Sequence, residues 1–261
     1  MNAGPLSGRG AVVTGGGRGI GAAIAQALAE AGASVVVSAR SASEIEAIAV
    51  SLREKGAAAW AVVCDVTDEA SVRRLGEEAR RHLGAVDILV NNAGDAASAP
   101  LAKITLEEWN RMLAVNATGT FLCTREFGPA MASRGRGRIV NLASTAGLHG
   151  GKYIAPYAAA KHAVIGFTRS IALELAERGV TVNAVCPGYT DTSLTDRTVR
   201  NVSSRTGLDR TAAVAAILAT GGQARLVTPE EVAAEVCRLC LDEAAATTGQ
   251  AILVDGGTTS P

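Results

Sequence analysis

The chain has 261 residues, and its 25 basic side chains balance 25 acidic ones, which leaves no net field to recruit nucleic acid or an anionic membrane surface. Hydrophobic residues make up 48% and aromatics only 3%, so the core must be built from Ala, Val, Leu and Ile; the length suits one large α/β domain over 1–261 better than two small ones. The start MNAGPLSGRGAVVTGG lacks the pattern of a signal peptide and no run approaches the roughly 18 apolar residues of a membrane span, so a soluble, cytoplasmic protein is expected.

Short β-branched runs alternate with amphipathic stretches along the whole chain. AVVTG from 11 is followed by a helical pattern through Ala31, then SVVVSA from 34, a helix after Ser43 and AWAVVCDV from 59. Next come a helix near 68–82, DILVNNAG from 87, a long helix at about 105–131 and GRIVNLAS from 137. A helix carrying Tyr157 runs to about Arg178, followed by GVTVNAVCPG, a polar region, a helix from 229 and the closing GQAILVDGG. Strands that read as near-continuous apolar runs belong to a parallel sheet covered on both faces, so the pattern predicts a Rossmann-type, doubly wound α/β fold. Thr105 with Glu108, and Thr228-Pro229 with Glu231, mark two helix starts by the capping-box spacing. The region 190–225 interrupts the alternation after the sixth strand and is expected to be a mobile substrate lid with one Ala-rich helical patch.

Five scattered cysteines (64, 123, 186, 237 and 240) do not make a disulfide framework; Cys237 and Cys240 lie within a helical pattern, and the histidines at 82, 149 and 162 have no ligand spacing. No metal site is expected.

TGGGRGIG at 14–21 sits between the first strand and first helix. Its Gly15, Gly19 and Gly21 permit a tight turn and close backbone approach to a pyrophosphate, whose charge free helix N–H groups can meet. The second strand ends in VVVSAR, placing Arg40 where an NAD-selective enzyme carries an acid, and Arg18 adds a second cation. Together they favour NADPH/NADP+ over NADH. Tyr157 and Lys161 in YAAAK are neighbours on one helix face. Taken alone, that spacing is more simply a packed tyrosine beside a solvated lysine.

Set beside the glycine loop, CDV (64–66), NNAG (91–94), Asn116 in LAVNATG, Ser144 in NLASTAG and NAVCPGYTDT (183–192), the pair gains a chemical meaning. With these motifs, and with Ser144 lying 13 residues before Tyr157, the chain resembles the short-chain dehydrogenase/reductase family over essentially its whole length, most closely the bacterial β-ketoacyl thioester reductases and polyketide ketoreductases. The resemblance implies a ketone–alcohol oxidoreductase with Tyr157 as general acid or base. Lys161 would draw the phenol pKa down and hold the nicotinamide ribose, Ser144 would polarise the carbonyl, and Asn116 would support a water chain. It implies cofactor contacts from Thr14, Gly15, Arg18, Gly19, Ile20, Gly21 and Arg40, with adenine at Asp65 and Val66. Asn92, Ala93 and Gly94 would line the adenosine side, and Pro187, Gly188, Thr190 and Thr192 the nicotinamide. Asn92 is alternatively a loop stabiliser, Thr190 and Thr192 a helix-capping turn, and His149 and Tyr189 either face the substrate or pack under the lid. The implied substrate is a 3-oxoacyl thioester carried on acyl carrier protein or CoA. The alternatives are a cyclic, steroid-like or sugar-derived alcohol or ketone, and an NADP-sensing regulator, which the intact Tyr157 and Lys161 disfavour. Helices 105–131 and 156–178 are expected to pair copies into a homotetramer.

Overall fold

The structure, a computed structural model, describes residues 4–257; the first three and last four residues of the expected 1–261 domain lie outside the described residues. Seven strands form one parallel sheet: β1 (Gly10–Thr14), β2 (Ser34–Ala39), β3 (Ala59–Val63), β4 (Ile88–Asn91), β5 (Gly137–Leu142), β6 (Val180–Pro187) and β7 (Ala251–Val254). Their order is β3-β2-β1-β4-β5-β6-β7. Between them run α1 (Gly19–Glu30), α2 (Ala42–Glu54), α3 (Glu69–Leu83), α4 (Leu106–Leu113), α5 (Gly119–Ser133), α6 (Ala155–Leu175), α7 (Ser193–Thr206), α8 (Arg210–Thr220) and α9 (Pro229–Cys240).

Strand alternation divides the core. Ala11, Val13, Val35, Val37, Ile88 and Val90 face α1, α2 and α9, whereas Val12, Val36 and Leu89 face α3 and α5. A one-residue slip would exchange the two sets, which pins the register that aligns Val12 with Val36 and Leu89. Each fully buried valine or leucine contributes about 1.5–3 kcal/mol, so the shortage of aromatics is made up by number. The chain leaves β1 toward β2 on one side and returns to β4 on the other. The carboxyl ends of β1 and β4 therefore flank the crevice where such sheets take ligands. Thr228 and Glu231 form the full reciprocal capping box, and Thr105 Oγ1 accepts from the Glu108 N–H.

Two expectations need correction. The long helix expected at 105–131 is α4 and α5 joined through a π turn at Ala114–Thr118. The wider turn inserts a residue and shifts the helical phase while the chain stays helical, and no residue type in AVNAT marks the insertion. The lid is not a polar coil with one helical patch: α7 and α8 form a helical pair with their own small apolar cluster of Val199, Ala213 and Ile217, flanked by Tyr189, Val202 and Val214. The sequence of α7, SLTDRTVRNVSSRT, buries only Thr195 and Val199, too few positions to show a helical stripe. Among the described residues, no helix is long and apolar enough to cross a membrane.

Candidate active site

The turn after β1 depends on glycine. Gly15 and Gly19 have φ of +64° and +53°, and a Cβ on Gly21 would sit 2.2 Å from the Gly15 carbonyl oxygen. No side chain caps the start of α1, so its first N–H groups remain available to a phosphate. The NNAG segment braces this loop. Asn92 and Ala93 N–H both donate to Thr14 Oγ1 at 3.1 Å, and Asn92 Nδ2 donates at 3.0 Å to the carbonyls of Thr14 and Gly15. The Asn92 amide is thus spent on the loop, in line with its stabilising alternative.

Arg40 is exposed at the end of β2. Arg18 lies across the loop with Nη1 3.4 Å from Glu44 Oε1, both side chains being solvated. Asp65 Oδ1 accepts from Thr67 N at 2.9 Å and Thr67 Oγ1 at 2.7 Å. Burial raises the Asp65 pKa, but these bonds and the Arg40 charge outweigh it and hold the carboxyl below its ordinary value. Val66 is buried against Gly119, where a Cβ would meet its side chain at 2.7 Å. Ile20 begins α1 half-buried against the core.

Ser144 follows β5, Tyr157 and Lys161 stand one turn apart on α6, and Asn116 lies in the π turn. Ser144 Oγ accepts from the Ala146 N–H at 3.1 Å, and its hydroxyl lies beside the Tyr157 phenol. Lys161 Nζ donates to the Leu142 carbonyl at 2.7 Å and lies 5.7 Å from the Tyr157 ring centroid. Gly94 separates it from Asn116: a Cβ there would lie 2.8 Å from Asn116 Oδ1 and 3.6 Å from Lys161 Nζ. Asn116 Nδ2 donates to the carbonyls of Asp95 at 2.9 Å and Met112 at 3.0 Å, which fixes the amide.

Burial acts on both members of the pair. Tyr157 is partly open to the cleft, yet burial raises its pKa, Tyr189 and Asp95 add to the rise, and Ser144 opposes it. The same burial lowers Lys161 from 10.5 to about 8. The chain's own atoms therefore hold a neutral phenol beside an ammonium that is easily discharged.

Pro187 ends β6 and starts the segment expected at the nicotinamide. A Cβ on Gly188 would meet Gln223 Oε1 at 2.5 Å, Thr190 Oγ1 donates to the Gly188 carbonyl at 3.1 Å, and Thr190 pairs with Val227 in a parallel bridge. Thr192 Oγ1 accepts from the Thr195 N–H at 3.5 Å, so the capping alternative holds for Thr192, and its methyl lies 3.3 Å from where a Gly19 Cβ would be. The segment thus leans on the glycine loop. His149 is exposed, while Tyr189 packs with the lid cluster of Val199, Ala213 and Ile217.

Sequence reasoning missed four residues here. Gln223 closes the base of the lid, accepting from Tyr189 N at 2.8 Å and donating to the carbonyls of Tyr189 and Arg225 at 2.9 and 2.7 Å. No sequence pattern marks it. Asp95, directly after NNAG, binds Arg111 and Arg197, each at 2.5 Å; an acid at that place was the available signal. Among the described residues, no group of three or more His, Cys, Asp or Glu side chains could hold a metal ion.

Comparison with known proteins agrees with this geometry. The family model for short chain dehydrogenases matches residues 9–203. A 3-oxoacyl-acyl-carrier-protein reductase of Synechocystis is 41% identical over 249 residues, covering 95% of each chain. A D-beta-hydroxybutyrate dehydrogenase of Rhizobium meliloti is 35% identical over 254 residues, covering 96% of this chain and 98% of the relative. The crystal structure of a variant actinorhodin polyketide ketoreductase with NADPH superimposes with a TM-score of 0.91 at 39% identity over 98% of both chains. With the model match covering well over half of its length, the chain belongs to the short-chain dehydrogenase family.

Proposed function

We propose that the protein is an NADP(H)-dependent oxidoreductase that reduces a 3-oxoacyl thioester to the 3-hydroxyacyl thioester. The observation that carries the reading is the placement of Ser144, Tyr157 and Lys161 at the carboxyl ends of β5 and β6, opposite a glycine loop with an uncapped helix start. The loop fits a dinucleotide: no side chain caps the start of α1, glycine at 21 lets the backbone pack tightly on Gly15 and Asn92, and Arg40 is exposed beside Asp65. Similarity to an acyl-carrier-protein-linked reductase and to a ketoreductase solved with NADPH supports both substrate class and cofactor.

A nicotinamide held by Pro187, Gly188, Thr190 and Thr192 would supply the hydride that reduces the carbonyl carbon. Tyr157, a neutral phenol whose pKa burial raises further, gives its proton to the developing alkoxide oxygen. Ser144 holds that oxygen as a donor aimed at developing charge. Lys161, anchored by Leu142, supplies a positive field under the phenol and a proton reserve behind it. Thr14, Gly15, Arg18, Gly19, Ile20, Gly21, Arg40, Asp65, Val66, Asn92, Ala93 and Gly94 form the adenosine and pyrophosphate side, and Pro187, Gly188, Thr190 and Thr192 the nicotinamide side.

The protein acts in the cytoplasm as a homotetramer. Leu106, Trp109 and Phe121 on α4 and α5, and Leu173 on α6, leave apolar surface exposed on the helices expected to pair, and light scattering at micromolar concentration reads the assembly.

The test of the activity is NADPH consumption against acetoacetyl-CoA, longer 3-oxoacyl thioesters, decalones, steroids and sugars. The expected result is highest kcat/KM with a 3-oxoacyl thioester; a sugar or steroid as the clear winner overturns the substrate assignment.

A further inference from the structure

We propose that Asp95 is a positioning residue that holds the lid helix α7 closed over the active site through Arg197. The α7–α8 pair is only loosely joined to the body of the protein. Its apolar cluster is its own, and α7 packs on α8 and on no other helix or strand to a comparable extent. Its base is fastened by Gln223 and by the Thr190–Val227 bridge, which fixes where the flap begins and ends but not how it lies over the cleft. Two contacts address that. Thr192, capping α7, holds its methyl 3.3 Å from where a Cβ on Gly19 of the glycine loop would lie. On the second turn, Arg197 Nη2 reaches Asp95 Oδ1 at 2.5 Å and the Ala96 carbonyl at 3.3 Å.

Asp95 is built as a fixed receiver. Its Oδ2 accepts from Arg111 Nη1 at 2.5 Å, which ties it to α4, and its Oδ1 also accepts from the Ala96 N–H at 2.9 Å. Its backbone is clasped by the Asn116 amide, which receives the Asp95 N–H at 3.4 Å and donates to its carbonyl at 2.9 Å. Burial would raise the carboxyl, but the two guanidinium bonds outweigh it and hold the pKa below its ordinary value, so the acceptor stays charged. The same carboxylate is near enough to Tyr157 to influence its phenol. Arg111 on α4 and the π turn both pack against α6, whereas α7 packs mainly on α8, so Arg197 is the partner that moves when the flap lifts. A half-exposed ion pair is a weak tether, as a lid that opens in every turnover requires.

What α7 covers rests on the reductase reading above, whereas the tether does not. The test therefore has a readout independent of activity: amide hydrogen exchange over 193–206 in the resting, full-length protein. Arg197→Gln and Asp95→Asn are each expected to speed exchange there roughly two- to fivefold, with the double variant no faster than either single one. Arg200→Gln removes the same charge one turn further along α7 and is expected to exchange like wild type. With a 3-oxoacyl thioester, Arg197→Gln is expected to raise KM by a similar factor with kcat changed by less than about twofold, because a smaller closed fraction weakens binding without touching the chemistry. Arg197→Lys, which keeps the charge, is expected to recover most of both effects. Unchanged exchange over 193–206 in Arg197→Gln, or equal loss of protection in Arg200→Gln, overturns the tether. A tether that passes the exchange test while no thioester is reduced overturns the reductase reading alone.

Discussion

Lys161 Nζ sits 5.7 Å from the centroid of the Tyr157 ring and spends a 2.7 Å hydrogen bond on the carbonyl of Leu142, the last residue of β5. The pair is thus joined to the sheet as well as to α6, and the strand end sets where the ammonium lies beneath the phenol. Burial acts on both partners toward their neutral forms, raising Tyr157 and lowering Lys161.

Tyr157→Phe removes one oxygen and should lower turnover by roughly 10²-fold or more while NADPH affinity stays near wild type. The raised phenol also sets a direction with pH. Alcohol oxidation, which needs the phenolate, should climb through the alkaline range, while reduction falls only once the phenol ionises. Stopped-flow kcat/KM in both directions across pH checks this, and a flat oxidation profile would count against Tyr157 as the base.

Lys161→Met should abolish activity yet stabilise the fold at pH 7. The wild-type lysine is lowered from 10.5 to about 8 in the folded state, so its burial as an ammonium is unfavourable at neutral pH. Between about pH 8 and 10.5 the unfolded chain holds a proton that the folded chain has released, and wild-type stability rises with pH over that window. The Tm advantage of the methionine variant should therefore be largest below pH 8 and shrink toward pH 10.5. A gap that stays constant with pH would refute the assignment.

Cofactor choice should respond to Arg40 and to the pairing of Arg18. If each arginine contributes about 1.5–3 kcal/mol to a 2′-phosphate, the preference for NADPH is roughly 10²-fold or more. Arg40→Asp should reverse much of it by repelling the phosphate and accepting from the ribose. Arg18, however, is already engaged by Glu44 at 3.4 Å. Glu44→Gln should free it and raise the NADPH to NADH ratio of kcat/KM by roughly two- to fivefold. A ratio insensitive to both changes would remove the arginines from cofactor selection.

Asn141→Ala should destabilise the protein by about 1–3 kcal/mol, read as a lower urea midpoint. Fully buried in β5, Asn141 Oδ1 accepts from Asn91 Nδ2 at 2.8 Å and its Nδ2 donates to Thr168 Oγ1 on α6 at 2.9 Å. Asn91 and Asn141 are also register partners in β4 and β5, so the change strands polar groups in the core directly beside the helix that bears Tyr157. An unchanged midpoint would mean that the network adds little.

The strands, the main helices and the crevice were legible because apolar runs such as SVVVSA and VTVNAV report burial on both faces directly. Tyr157, Lys161 and the glycine loop were legible because one helical turn and one tight turn are short-range geometry. What the sequence hid is long-range or lacks periodicity. Arg197 lies 102 positions from Asp95, and the polar α7 shows no stripe because it packs mostly on its own partner helix. The π turn at Asn116 shifts the helical phase by a residue that no composition rule marks. Spacing reveals the lysine beside Tyr157 but not the burial that acts on its phenol.

Hydride transfer is read most plainly with NADPH dideuterated at the nicotinamide C4 and a 3-oxoacyl thioester, by mass analysis of the product. The expected product is a 3-hydroxyacyl thioester carrying one deuterium at the former carbonyl carbon, formed roughly 10²-fold more slowly by Tyr157→Phe but with the same single label per molecule. Product without deuterium, or equal rates of formation by the two enzymes, overturns the reductase mechanism.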